Sequence, residues 1–192
     1  DEVSFEIEDK EFVFFVGPSG AGKSTLLKLL LGFEPVSSGG IFFDGKDLQS
    51  LDDRELRRQC GVVTQSAQLI AGSIYQNICG PARLSMSEAW SAAEQTALAE
   101  DIRQMPMGMS TVISQGGGGL SGGQKQKILI ARALAHHPRV LFFDEATSAL
   151  DSESQDIVRK SIETLQMTRV VIAHRLSTIQ RADRIYVISQ GR

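Results

Sequence analysis

Apolar residues recur along this chain in two rhythms. Val3, Phe5 and Ile7 alternate with polar neighbours, the period-two pattern of a half-exposed strand. EFVFFV (11–16) is a continuous apolar run, which predicts a strand buried on both faces. After the interruption GPSGAGKST, the segment LLKLLLG (26–32) reads as a helix closed by Gly32. GIFFDGKDL predicts a short strand running into an Asp-Gly turn, and CGVVTQ (60–65) another buried strand.

From about residue 74 to 137 the helical rhythm takes over. Ser85 and Glu88 have capping-box spacing, and Trp90, Ala93 and Ala97 fall along one helical stripe. Strand patterns return at RVLFFDE (139–145), TRVVIAH (168–174) and DRIYVIS (183–189), with a helix between the first two. Strands alternating with helices predict an α/β fold with a mostly parallel sheet covered on both faces. The expected organisation is a single domain over 1–192 with two lobes, a core lobe of 1–73 and 138–192 and a helical lobe of about 74–137.

Composition narrows the function classes. The net charge of −3 argues against a dominant nucleic-acid-binding surface. Two cysteines, Cys60 and Cys79, are too few for a disulfide framework and read as small buried hydrophobes. The richest apolar run, LLKLLLGF, is broken by Lys28 and falls short of the roughly 18–20 residues of a bilayer crossing. Any membrane role would therefore come through a partner. The chain opens almost inside a strand pattern and stops just after another, as expected of a piece of a longer protein.

Two motifs carry chemistry. GPSGAGKST (17–25) matches G-x-x-x-x-G-K-[ST] between a buried strand and a helix. That arrangement turns successive backbone N–H groups and a helix N-terminus towards phosphates, with Lys23 reaching the β- and γ-phosphates and Ser24 offering a hydroxyl to Mg²⁺. VLFFDE (140–145) describes a buried strand delivering carboxylates at its carboxyl end, with Asp144 as the Mg²⁺ ligand and Glu145 as the base acting on the attacking water. The signal establishes a phosphate loop and is silent about which nucleotide hydrolase carries it.

GGGGLSGGQKQ (116–126) is dense enough in glycine to be a flexible linker. Yet Ser121 and Gln124 have capping-box spacing at the head of an apolar helical pattern, KQKILIARALA. Gly122 and Gly123, lacking Cβ atoms, would let the first turn's N–H groups approach an anion. On that helix Lys125, Arg132 and His136 read as a solvated face, and His136-His137 as a helix C-terminus rather than a zinc site.

With these motifs together, the chain resembles the nucleotide-binding domain of ABC transporters. The phosphate loop, Gln65, the signature Leu120-Ser121-Gly122-Gly123-Gln124, Asp144-Glu145, Ser148 to Asp151 and His174 come in the family's order. The resemblance implies a P-loop core, a helical signature lobe and an N-terminal antiparallel β portion. It also implies ATP and Mg²⁺ as cofactors and a head-to-tail dimer with a second such domain, coupled to a transmembrane domain at the cytoplasmic face of a membrane. Gly17, Pro18, Ser19, Gly20, Ala21, Gly22, Lys23, Ser24 and Thr25 would hold one side of the nucleotide, and Ser121 to Gln124 with Asp151 the other. Glu145, His174 and Gln65 would be catalytic, and Ser24, Gln65 and Asp144 would serve the metal.

SIYQNI, EATSALD and AHRLST resemble exporter segments, and GMSTVISQGGGGLSGG is similar to bacterial peptide or bacteriocin exporters. Two departures stand out. Gln115 occupies a region where many exporters carry a glutamate, and the family's adenine-stacking aromatic would lie before residue 1. MPMGM (105–109) reads equally as core or as a docking patch, within a stretch from Gln65 to Met109 expected to meet the transmembrane partner. The alternatives are a non-transport ATPase of the same family acting on DNA or ribosomes, and an inactive regulatory domain. Filled catalytic positions argue against the last.

Overall fold

The structure, a computed structural model, describes residues 3–64, 66–81, 84–144, 160, 162–173, 182–189 and 191. Gln65, Glu145, Asp151, His174 and most of the helix expected between RVLFFDE (139–145) and TRVVIAH (168–174) lie outside the described residues. The fold is α/β, and the chain divides into two compact units.

The first unit comprises Asp1–Val62, Pro138–Glu145 and Met167–Arg192. It is built on a five-stranded sheet of order β4-β7-β8-β1-β9. Its strands are β1 (Phe12–Val16), β4 (Cys60–Val63), β7 (Val140–Asp144), β8 (Thr168–Ala173) and β9 (Arg184–Val187). The pairs β7–β8, β8–β1 and β1–β9 are parallel. Continuous apolar runs are required here because central parallel strands face helices or coil on both sides. Phe12 to Phe15 are accordingly all buried, as are Leu141 to Phe143. The core gathers Val13, Phe15, Leu27, Leu30, Phe142, Val170 and Ile172.

Helix α1 (Lys23–Leu30) packs against this core through Leu27 and Leu30. It ends as expected at Gly32, whose N–H donates to Leu29 O while that of Phe33 donates to Lys28 O, the paired bonds of a Schellman stop. The Asp-Gly turn forms a hairpin between β2 (Phe42–Phe43) and β3 (Lys46–Asp47), with Asp44 and Gly45 both left-handed. Helix α2 (Asp53–Gln59) is capped by the Asp52 carboxylate.

Residues 3–7 depart from expectation and form no strand. Their alternation still serves burial, since Phe5 packs edge-on against Phe15 at 5.0 Å and beside Tyr186 at 5.3 Å. The backbone, however, bonds to side chains: Arg184 and the Tyr186 hydroxyl both donate to Glu6 O at 2.8 Å. Period-two burial without a neighbouring strand in register leaves an extended strap.

The second unit comprises Val63–His137 and Ala146–Gln166; among its described residues the regular structure is helical apart from the short antiparallel pair β5 (Gly72–Ser73) and β6 (Val112–Ile113). Its helices are α3 (Ile74–Cys79), α4 (Met86–Gln95), α5 (Ala99–Arg103) and α6 (Gly122–Leu134). The stripe expected along α4 is shifted. Ala89, Ala92 and Ala93 are buried, Trp90 is only half-buried, and α4 stops before Ala97, which is left-handed and exposed. Of the MPMGM patch, Met109 is core and Met107 is 60% exposed. No helix among the described residues is long and apolar enough to cross a membrane.

Candidate active site

The phosphate loop leaves β1 at Val16, which pairs with Ala173 of β8 and Val187 of β9. At the first loop position only glycine fits: a Cβ on Gly17 would lie 2.1 Å from the Ile188 carbonyl oxygen. The close approach follows from β9, whose continuation is held by the Ile188 N–H donating to Val16 O at 2.7 Å. Pro18 to Gly20 are exposed, and Ala21 turns back so that its N–H meets Pro18 O at 3.2 Å.

Gly22 then starts α1 with no side-chain cap, and no acidic residue stands in the first turn. The leading N–H groups of a helix have no partner within it, so this terminus is electropositive, and among the described residues no side chain caps it. Lys23 sits at its first position with 4% of its surface exposed. Its ammonium donates to Gly17 O and Pro18 O, both at 2.8 Å. A buried cation whose partners are neutral carbonyls, beside uncapped N–H groups, fits a polyphosphate anion. Ser24 and Asp144 carry hard oxygen donors of the kind Mg²⁺ takes. Asp144 ends β7 opposite Ile172, so it and the phosphate loop both issue from the carboxyl edge of the parallel sheet. Among the described residues no cluster of three acidic, histidine or cysteine side chains exists that would hold a metal alone.

The glycine-rich stretch belongs to the second unit, and it is built rather than loose. Ser121 caps α6: its Oγ accepts the Gln124 N–H at 3.1 Å while Gln124 Oε1 accepts the Ser121 N–H at 3.0 Å. The helix begins at Gly122, earlier than the apolar pattern alone indicates. Upstream, the Gly116 N–H donates to Leu69 O at 3.0 Å. Gly117 is buried and left-handed, and a Cβ there would come within 3.0 Å of the Leu69 and Lys125 side chains.

One sequence reading is corrected on this helix. Arg132 does not join a solvated face. Its Nε donates to Asn77 O at 2.6 Å and its terminal nitrogens to Asn77 Oδ1 at 2.8 Å and Gln68 O at 3.3 Å. Burial lowers the pKa of this guanidinium. Asn77, fully buried, and the Ser73–Gln76 capping box of α3 were both missed. The S-x-x-Q spacing could have revealed the box, whereas nothing local to Asn77 marks it. Lys127 also turns inward, to Asp101 and to Ala97 O at 2.8 Å each.

A glycine-lined turn between a buried parallel strand and an uncapped helix, with an aspartate at the same sheet edge, defines a P-loop nucleotide-binding domain. The ABC transporter family matches residues 1–148. The chain is 46% identical over 189 residues, 97% of its length, to the colicin V secretion/processing ATP-binding protein CvaB of Escherichia coli. It is 45% identical over 195 residues, all of its length, to the alpha-hemolysin translocation ATP-binding protein HlyB of Escherichia coli O157:H7. The solved structure of a bacterial Atm1-family ABC exporter with ATP bound superposes with a TM-score of 0.89 at 40% identity over 99% of the chain. The chain spans 27%, 28% and 34% of these three proteins. It belongs to the ABC transporter family, as an ATP-binding domain related to the exporter ATPases of bacteria.

Proposed function

We propose that this domain hydrolyses Mg-ATP in a head-to-tail dimer and drives export of a peptide or protein through a transmembrane domain, from the cytoplasmic face of a membrane. The observation that carries the reading is Lys23, a buried ammonium folded onto two loop carbonyls beside an uncapped helix N-terminus. The secretion and translocation named for the two relatives support the direction and the cargo class.

Residues 1–192 would act as one ATPase domain, with a core lobe of 1–73 and 138–192 and a helical lobe of about 74–137. In this reading Gly17 to Thr25 bind the phosphates, and Ser24, Asp144 and Gln65 serve the metal. Bound Mg²⁺ supplies charge neutralisation on the phosphate oxygens. Glu145 takes the proton of the attacking water, and His174 donates to the terminal phosphate. Ser121 to Gln124 present the first turn of α6 to nucleotide held by a second subunit, and Asp151 crosses between the two.

The test is the ATP hydrolysis rate with Mg²⁺ against protein concentration. Specific activity should rise with concentration as two half-sites meet. Appreciable activity that stays flat at a demonstrably monomeric concentration would overturn the shared site.

A further inference from the structure

Residues 67–70 form neither helix nor strand, yet Leu69 is 2% exposed. Backbone that leaves water must find hydrogen-bond partners, and irregular backbone cannot supply its own. Here the partners come from three places in the same unit. The Asn77 side chain pairs with Ile70 as a neighbouring strand would, its Oδ1 accepting the Ile70 N–H and its Nδ2 donating to Ile70 O, both at 2.9 Å. Nδ2 also donates to Ser73 O at 3.1 Å. Gly116, five residues before the signature serine, donates to Leu69 O, and Arg132 of α6 donates to Gln68 O.

Asn77 and Arg132 are themselves locked together, since the guanidinium forks across the Asn77 carbonyl and its side-chain oxygen. Among the described residues, the hydrogen-bond partners of Arg132 are all neutral oxygens. Partial burial of a guanidinium is costly, and three carbonyl acceptors offset that cost only while the fork stays in register. The strap at 68–70 is thus gripped at two stations of the signature element, just before its N-cap and late in α6. It cannot shift without moving the helix.

We propose that Asn77 and Arg132 are positioning residues that join the 68–73 strap and the signature helix into one rigid piece. Gln65 lies three residues before Gln68, within about 10 Å of extended chain. The strap that follows Gln65 in the sequence is thereby tied to the helix that carries Ser121–Gln124. The inference rests on the ATPase reading above.

The experiment is a double-mutant cycle on the full-length protein, combining Arg132→Lys with Ser121→Ala and measuring kcat, KM and nucleotide binding. Arg132→Lys keeps the charge and loses the fork. It should lower kcat about 10- to 100-fold, as small displacements of a positioned group do. Nucleotide affinity should stay within about twofold, because the phosphate loop belongs to the other unit. In the cycle the two losses should not multiply, since both act through the signature, whereas independent sites add in free energy. Wild-type turnover by Arg132→Lys, or losses that multiply, would overturn the inference. A wild type that hydrolyses no ATP would instead remove the ATPase reading and the inference with it. If Arg132→Lys fails to melt cooperatively, Asn77→Asp replaces it. That variant keeps both acceptor positions and loses the donors to Ile70 O and Ser73 O, and the same non-multiplying loss is expected.

Discussion

A primary ammonium with 4% of its surface exposed is costly to keep charged unless oxygens surround it. Lys23 meets that condition with two carbonyls of its own loop, which leaves its third hydrogen for a ligand. Replacing it with alanine should weaken ATP binding about 10- to 100-fold, the range of one hydrogen bond to a charged group. Glu145→Gln should instead leave binding intact and slow hydrolysis by roughly 10²–10⁴. Titration of nucleotide and a turnover assay on both variants separate these effects, and equal hydrolysis by wild type and Glu145→Gln would remove the general-base assignment. The cysteines are governed by burial in the opposite sense. Desolvation raises the Cys60 thiol to about 11, so at pH 8 about one molecule in a thousand carries the thiolate. Alkylation of native protein at Cys60 should be slow at that pH, accelerate as pH climbs towards 11, and become fast on unfolding. Ordinary labelling rates at pH 8 in the folded state would contradict this.

Helix starts were the most readable elements because a cap is settled within four residues. The Ser85–Glu88 and Ser121–Gln124 boxes were legible as spacings, and both form. In the first, Glu88 Oε2 accepts from the Ser85 N–H and hydroxyl at 2.6 Å each. The Ser85 hydroxyl and then its backbone hold the Glu88 carboxyl below the usual range. A lowered carboxylate stabilises the fold above its unfolded value and loses that contribution as pH falls through the folded one. Wild type should therefore melt above Glu88→Gln at pH 7, and the two should converge as pH drops below the glutamate range. A melting difference independent of pH would refute the charged cap. Ser85→Ala, which removes the cap at any pH, should cost about 1 kcal/mol. Elements whose limits depend on neighbours were less readable. The alternation at Val3, Phe5 and Ile7 announced the half-burial of Phe5 and Ile7 but not that Val3 stays exposed, nor the missing pairing, because the Glu6 carbonyl of that strap bonds to Arg184 and Tyr186. The Trp90–Ala93–Ala97 stripe failed because the chain turns at left-handed Ala97, in a packing that Lys127 fixes from 30 residues away.

Over the whole molecule, sequence order and spatial order part company. β8 lies between β1 and β7, so strands distant in the chain become neighbours. The Phe12 N–H finds its acceptor in Asp183, 171 residues on. The sequence by itself determined the buried strands, the phosphate loop, the signature cap and the family, because each is written in a few adjacent residues whose spacing, volume and backbone freedom suffice. Only the tertiary structure decided why Gly17 must lack a side chain, where the backbone of 68–70 finds its partners, and that Arg132 points inward to Asn77. Those are meetings between segments far apart in the chain. Whether a glycine is needed for a turn or for a neighbour, and whether an arginine is solvated or gripped, depends on atoms that local spacing does not specify.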